Sequence, residues 1–390
     1  MNVSWPYRAA GVGNISMEFP FDKILFSPGD VDINQLPIGK ATGLETYVLG
    51  AFNPGFCRLP GGNTLMMVRV AEALTQPRSG HELQVLRYDP AIDSFTYDIY
   101  DTDRIDFSDP RKYKFKGTED VYALTSLSWL LPVELDQDGK NIVKIHYDKT
   151  ILPQNESQEY GVEDARITTI DEKYYMTACA VSSGRHSTVL YTSNDGLNYS
   201  YQGLILDHQN KDMVFFPEKI NGLFHALTRP QGELYFMDHH PENLSGPGIN
   251  IATSPDTLHW RPAAPVLLKP RKDSVLSRKV GGGSTPIRTP EGWLILFHAV
   301  SDEGQVGIYR TIWMVLDLED PLKIIHEEFS VPLMEANPDL TKHLQDSIYL
   351  PDVVFTTGVV EADEIYIVAS GELDLCCRIT HIPISTFSLN

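Results

Sequence analysis

The 390-residue chain carries 32 Lys and Arg against 52 Asp and Glu, a formal net charge of −20. That balance argues against a protein whose work is gripping a nucleic-acid backbone, which needs an excess of cations. With 42% hydrophobic residues and 26 prolines it has material for a large core and many punctuated loops, whereas its four cysteines (Cys57, Cys179 and the adjacent Cys376 and Cys377) form neither a disulfide framework nor a Cys-x-x-Cys zinc spacing.

The start, MNVSWPYRAAGVGN, lacks the basic-then-apolar form of a secretory signal, and no run of about 18 apolar residues marks a membrane span, so a cytoplasmic protein with no membrane partner is expected. Residues 1–50, with Pro20, Pro28 and Pro37, read as extended segments and loops that brace the body, with only short helix.

Five β-hairpins follow, each a short run, a tight polar turn and an apolar strand: Phe56 to Val70, Ala165 to Ala180, Phe216 to Pro230, Pro286 to Val300 and Val354 to Ser370. Gly61-Gly62-Asn63, Asp171-Glu172-Lys173, Asn221-Gly222, Glu291-Gly292 and Ala362-Asp363-Glu364 supply turn residues that tolerate left-handed backbone. The segments Leu83 to Tyr88, Thr96 to Tyr100, Ile142 to Tyr147 and Thr188 to Thr192 suit outer strands. The long interval from about Ala71 to Val162, with its charged tract Asp101 to Asp120, is expected to hold a long insertion, and Pro338 to Leu344 a short helix. Hairpins recurring every 50 to 70 residues, with one longer interval, predict an all-β fold, a single five-bladed β-propeller over residues 1–390 with a central active-site cavity.

In such a fold the innermost strands converge, so polar residues at the starts of the hairpins meet although they are far apart in sequence. That rule selects Asn53, Asp164, Lys211, Asp212, Lys279 and Asp352, with Arg69, Arg229 and His298 at strand ends. Carboxylates suited to proton transfer stand among cations that an acidic protein gathers to hold an anion. Read singly, Glu163-Asp164 and Lys211-Asp212 are solvated charge pairs and His298 is a core histidine in an apolar run; only the combination is distinctive. Gly281-Gly282-Gly283 is followed by Pro286 rather than a helix, which argues against a nucleotide loop.

The motifs Asn53-Pro54, Gly161-Val-Glu-Asp-Ala-Arg166, Asn210-Lys-Asp-Met-Val-Phe-Phe-Pro-Glu-Lys-Ile-Asn-Gly222, Thr228-Arg-Pro230, Lys279-Val-Gly-Gly-Gly283, Gly292-Trp-Leu-Ile-Leu-Phe-His298 and Thr357-Gly358 resemble glycoside hydrolase family 130, the mannoside phosphorylases and related β-mannosidases. The likeness runs from about Asn53 to Asp374. It implies a glycosyltransferase-type phosphorylase in which Asp164 is the general acid, its proton relayed through a hydroxyl of the mannosyl unit. It implies a phosphate site at Lys211, Arg229 and His298, and sugar contacts at Asn53, Arg69, Asp212, Lys279, Tyr309 and Asp374. It departs from the family at Ala165, usually proline, at Thr228, often histidine, and at Gly371-Glu-Leu-Asp374, which replaces Gly-Ala-Ala-Asp.

The expected reaction is inverting phosphorolysis of a β-linked manno-oligosaccharide to α-mannose 1-phosphate, with phosphate as cosubstrate, no metal and no other cofactor. A homo-oligomer is a modest expectation. An inverting exo-β-mannosidase on the same fold would instead need a second carboxylate to activate water, for which Glu218 and Glu372 are candidates. A noncatalytic sugar-binding propeller would bind without turnover.

Overall fold

The computed structural model describes residues 18–118, 121–206, 208–231, 247–304 and 306–389. Strand β1 (Phe21–Phe26) precedes a five-residue helix, α1 (Ile38–Thr42), and a long hairpin of β2 (Thr46–Arg58) and β3 (Thr64–Leu74). Two small three-stranded sheets come next: β4 (Arg78–Ser79), β5 (Glu82–Asp89) and β6 (Ser94–Asp101), then β7 (Ile105–Asp106), β8 (Lys112–Phe115) and β9 (Tyr122–Leu124). The chain then returns to β3 with β10 (Leu127–Leu135) and β11 (Ile142–Ile145), completing a first main sheet of order β11-β10-β3-β2.

Two antiparallel meanders form the second and third main sheets. They are β12 (Val162–Ile170), β13 (Lys173–Val181), β14 (His186–Ser193) and β15 (Ser200–Leu206), then β16 (Asn210–Phe215), β17 (Phe224–Pro230), β18 (Ile249–Ser254) and β19 (Arg261–Leu268). The fourth contains β20 (Lys279–Gly282), β21 (Ile287–Arg288), β22 (Trp293–Ser301), β23 (Ile308–Leu316) and β24 (Ile324–Glu328). In the fifth, β25 (Val354–Ala362), β26 (Ile365–Glu372) and β27 (Cys376–Pro383) are joined by β1 from the other end of the chain.

Turn chemistry explains the hairpins. Asp171 and Glu172, at φ 49° and 64°, close β12 onto β13 with Ile170 opposite Lys173, the left-handed pair that matches strand twist. Asn221 and Gly222 do the same at φ 51° and 79° before β17. Between turns, side chains alternate faces, and both faces are covered, so the strands read as unbroken apolar runs. In β3, Leu65 and Met67 pack with Ile167 and Met176 of the second sheet, while Met66, Val68 and Val70 pack with Ile367, Ala369 and Ile379 of the fifth. In β22, Ile295 and Phe297 meet Val214 and Leu227 of the third sheet, and Leu294 and Leu296 meet Val354 and Val368 of the fifth. Phe215 and Met213 join the third sheet to Ile170 and Leu190 of the second. Each main sheet thus packs on two others, and the succession returns to the first; each such side chain, fully buried, contributes about 1.5–3 kcal/mol.

Three expectations need correction. The segments Leu83 to Tyr88 and Thr96 to Tyr100 are not outer strands of the main sheets, because β5 and β6 pair with each other and with β4 in a separate sheet. The interval Ala71 to Val162 does hold an insertion, which the pairing of β10 along β3 confines to residues 75–126. In the fourth hairpin β21 is only two residues long, and the strand that pairs with the middle of β22 is β20. The short helix expected at Pro338 to Leu344 lies slightly later, as a 3-10 helix over Lys342–Ser347. Among the described residues no helix is long and apolar enough to cross a membrane.

Candidate active site

The first strands of the five main sheets converge on one cavity of about 360 Å³, to which β2 contributes Phe52 and Asn53, β12 Glu163 and Asp164, β16 Lys211 and Asp212, β20 Lys279 and β25 Phe355. Three of these strands break register at the same place. The bulges fall between Phe52 and Gly55, Glu163 and Arg166, and Lys211 and Val214, and within them Asn53, Asp164 and Asp212 take φ of 47°, 51° and 57°. A bulge leaves a residue outside the ladder and re-aims its side chain, and Asn and Asp tolerate this backbone better than other side chains. The three residues are therefore structural equivalents in successive sheets.

Their side chains meet across sheet boundaries. Asn53 Nδ2 donates to Asp164 Oδ1 at 2.9 Å, and Arg69 Nη1 donates to the same oxygen at 3.0 Å. Arg69 Nη2 also binds Glu163 Oε1 at 2.8 Å, while Lys211 Nζ reaches Glu163 Oε2 at 3.2 Å, so Glu163 ties two cations into the wall. Farther round, Asp212 Oδ2 lies 2.9 Å from Arg229 Nε and 3.5 Å from His298 Nε2, and Arg166 Nη2 stands 3.7 Å from Asp212 Oδ1. The Arg229 and Asp212 contact is an ion pair by proximity without hydrogen-bond alignment. Lys279 Nζ sits 4.8 Å from the centre of the Tyr309 ring.

These contacts set the protonation of the site. Burial works to raise Asp164, but the charges of Arg69, Lys211 and Arg166 and the Asn53 amide outweigh it and hold the carboxyl well below the usual range. Burial likewise opposes charge on Lys211, yet Glu163 raises it above an ordinary lysine. Lys279 goes the other way, pushed well below the lysine range by burial and then by Arg229. Asp374 is raised, first by burial, with Arg69 opposing. Lys211 and burial push His186 down to about 4.

The cavity wall includes Asn53, Arg69, Asp164, Lys211, Asp212, Arg229, Lys279, Tyr309 and Asp374. His298 is brought to the same region but does not line it. It is fully buried behind Arg229, whose Nη1 lies 3.1 Å from His298 Nε2. Asp352 falls outside the site: it is exposed and engages Tyr309 only through its backbone carbonyl. The two carboxylates considered for activating water also lie elsewhere. Glu218 forms an exposed ion pair with Arg288 at 3.0 Å, and Glu372, fully buried, accepts from Arg378 Nη1 at 3.0 Å and from the Asn337 amide at 2.6 Å.

Arg111, Tyr122, His186 and Tyr349 are among the wall residues that went unforeseen. Arg111 comes from the inserted segment and is fixed by Asp109, its Nε and Nη2 each 3.2 Å from a carboxylate oxygen. The only trace in the sequence was the charged tract from Asp101 to Asp120, which has no counterpart in the repeats.

Comparison with known proteins identifies the family. Residues 122–387 match the glycoside hydrolase family 130 model, described as beta-1,4-mannooligosaccharide phosphorylase. The chain is 34% identical over 321 residues to a beta-1,2-mannobiose phosphorylase of Listeria innocua, covering 80% of this chain and 83% of that protein. It is 34% identical over 242 residues to a 1,2-beta-oligomannan phosphorylase of Thermoanaerobacter sp., covering 61% and 73%. The structure of a Listeria innocua beta-1,2-mannobiose phosphorylase in complex with beta-1,2-mannobiose superposes with a TM-score of 0.79 at 30% identity over 94% of this chain and 97% of that one. A putative glycoside hydrolase from Parabacteroides distasonis, at 17% identity, shares the fold with a TM-score of 0.62 over 95% of each chain. The matched motifs, their placement around one cavity and these relatives together make the chain a member of glycoside hydrolase family 130.

Proposed function

We propose that this protein is an inverting β-mannoside phosphorylase, built as a single five-bladed propeller, that transfers a mannosyl group from a β-linked manno-oligosaccharide to inorganic phosphate and yields α-mannose 1-phosphate. The observation that carries the reading is the pairing of one proton source, Asp164, with a set of cations, Lys211, Arg229 and Lys279, in a single cavity. Phosphate attacking an anomeric carbon has to be held in line with its charge balanced, and cationic donors do both. The relatives named as mannoside phosphorylases support the substrate class. The unbroken succession of packed sheets, with β1 from the start of the chain completing the last one, supports the propeller.

In this mechanism Asn53 and Arg69 orient Asp164, which supplies the proton to the departing oxygen through a mannosyl hydroxyl. Lys211 and Arg229 hold the phosphate, with His298 fixing Arg229 from behind. Asp212, Lys279, Tyr309 and Asp374 contact sugar. The surrounding cations hold the Asp164 carboxyl well below the usual range, so it must gain a proton before it can act. A phosphate dianion set among Lys211 and Arg229 offsets the charges that depress it, which moves its pKa up. Neither carboxylate considered for activating water, Glu218 or Glu372, lines the cavity.

Turnover of β-1,2- and β-1,4-mannobiose is the test, with and without phosphate. A rate that requires phosphate is expected, together with a loss of about 10²–10⁴ in kcat for Asp164→Asn at unchanged circular dichroism. Mannose release indifferent to phosphate, or an active Asp164→Asn, defeats the assignment.

A further inference from the structure

The catalytic cavity does not end at its own wall. A second cavity of about 390 Å³, as large as the first, adjoins it and shares Tyr122, Leu124 and His186 with it. One side belongs to the inserted segment, which supplies Tyr100, Phe115 and Tyr122; the other is the turn between β13 and β14, which supplies Ser183 and Arg185, with Tyr160 and Gln209 between.

The composition of this groove is that of a sugar site rather than a simple seam. Tyr100 and Phe115 pack edge to face at 5.0 Å. The hydroxyls of Tyr160 and Tyr100 donate to the same oxygen of Asp98, at 2.9 and 3.3 Å, which fixes both rings. All three rings are only partly buried although they sit on the core of the insertion. Aromatic rings held rigid beside hydroxyl, amide and guanidinium groups match a sugar, which presents C–H faces and hydroxyl edges at once. Ser183 and Arg185 are exposed and stand opposite those rings across the groove.

We propose that this groove is an additional mannosyl subsite, which takes the part of a manno-oligosaccharide extending beyond the disaccharide and makes the enzyme selective for chains longer than two units. The inference rests on the β-mannoside phosphorylase reading. Continuity commits it to one occupant: a chain leaving the catalytic cavity past Tyr122 and His186 enters the groove directly. Identity does not decide chain length, because a mannobiose phosphorylase and an oligomannan phosphorylase are each 34% identical to this chain over the matched span.

The experiment compares kcat/KM for β-1,2-mannobiose and β-1,2-mannotetraose, each with saturating phosphate, in the wild type, Phe115→Ala and Ser183→Trp. The first variant removes a ring; the second fills the groove from an exposed position and leaves the core untouched. Wild type should favour the tetraose by about tenfold, the scale of one or two aromatic contacts. Both variants should lose that preference while mannobiose kcat/KM stays within about twofold. Equal wild-type rates at both lengths, an unchanged preference in Ser183→Trp, or a loss equal at both lengths would overturn the subsite. A rise confined to the KM for phosphate would also overturn it, because the groove would then serve the anion. Failure to cleave mannobiose, mannotetraose or their β-1,4 counterparts with phosphate strikes the parent reading instead.

Discussion

In the proposed reaction Asp164 is the general acid, and its surroundings set a condition on when it works. Arg69, Lys211 and Arg166 hold its pKa well below the usual carboxylate range against the effect of burial. A general acid must be protonated, so activity falls as pH rises through its pKa in the loaded complex. Phosphate neutralises part of the cationic field, so that pKa is higher in the complex than in the free enzyme. The alkaline limb of kcat, which reports the complex, should therefore lie at higher pH than the limb of kcat/KM, which reports the free enzyme. Coincident limbs in a pH series at saturating and limiting phosphate would mean that phosphate does not load the acid. Much of this residue set was legible beforehand because Asn53, Asp164 and Asp212 belong to motifs that begin repeated hairpins. Their common left-handed backbone was not legible, since a bulge is fixed by the pairing of two strands. Arg111 and Tyr349 escaped for a different reason: they reach the cavity from loops with no repeat to index them.

Among the elements, β20 passes close to β16 beside the proposed phosphate site. A Cβ on Gly281 would overlap Asp212 Oδ2 and the His298 ring, so this strand must carry glycine where it passes the Asp212 and Arg229 pair. Gly281→Ala is predicted to cost about 1–3 kcal/mol in stability and to raise the KM for phosphate through displacement of Arg229. Denaturant titration with initial-rate kinetics checks both, and a variant with wild-type KM would show that Arg229 does not depend on this contact. The sequence exposed such hairpins through their Gly, Asn and Asp turns. It hid the pairing of β10 with β3, because the inserted segment, residues 75–126, separates them, and β5 and β6 carry the same β-branched and aromatic signal as true outer strands.

For the molecule as a whole, the joint between its two ends is the point of greatest mechanical interest. β1 completes the fifth sheet beside β27, and Arg378 clasps it: Nε and Nη2 bind Asp22 at 2.7 and 2.8 Å, while Nη1 holds Glu372 at 3.0 Å. Asp22→Ala leaves a buried guanidinium with one carboxylate fewer and should cost about 2–3 kcal/mol. The denaturation midpoint should fall with its slope unchanged; an unaltered midpoint would show that β1 does not secure the fold. Composition and hairpin spacing revealed the all-β class, but only tertiary packing determines which strand shares a sheet with the last hairpin.

The central claim is that Asp164 faces an anion site made by Lys211 and Arg229 within one cavity, and a crystal soaked with phosphate and a β-mannobiose addresses it most directly. Phosphate should be held by the Lys211 and Arg229 side chains, with the scissile oxygen on the Asp164 side of the sugar. A phosphate bound elsewhere, or a sugar seated with its anomeric carbon turned away from Lys211 and Arg229, would contradict it.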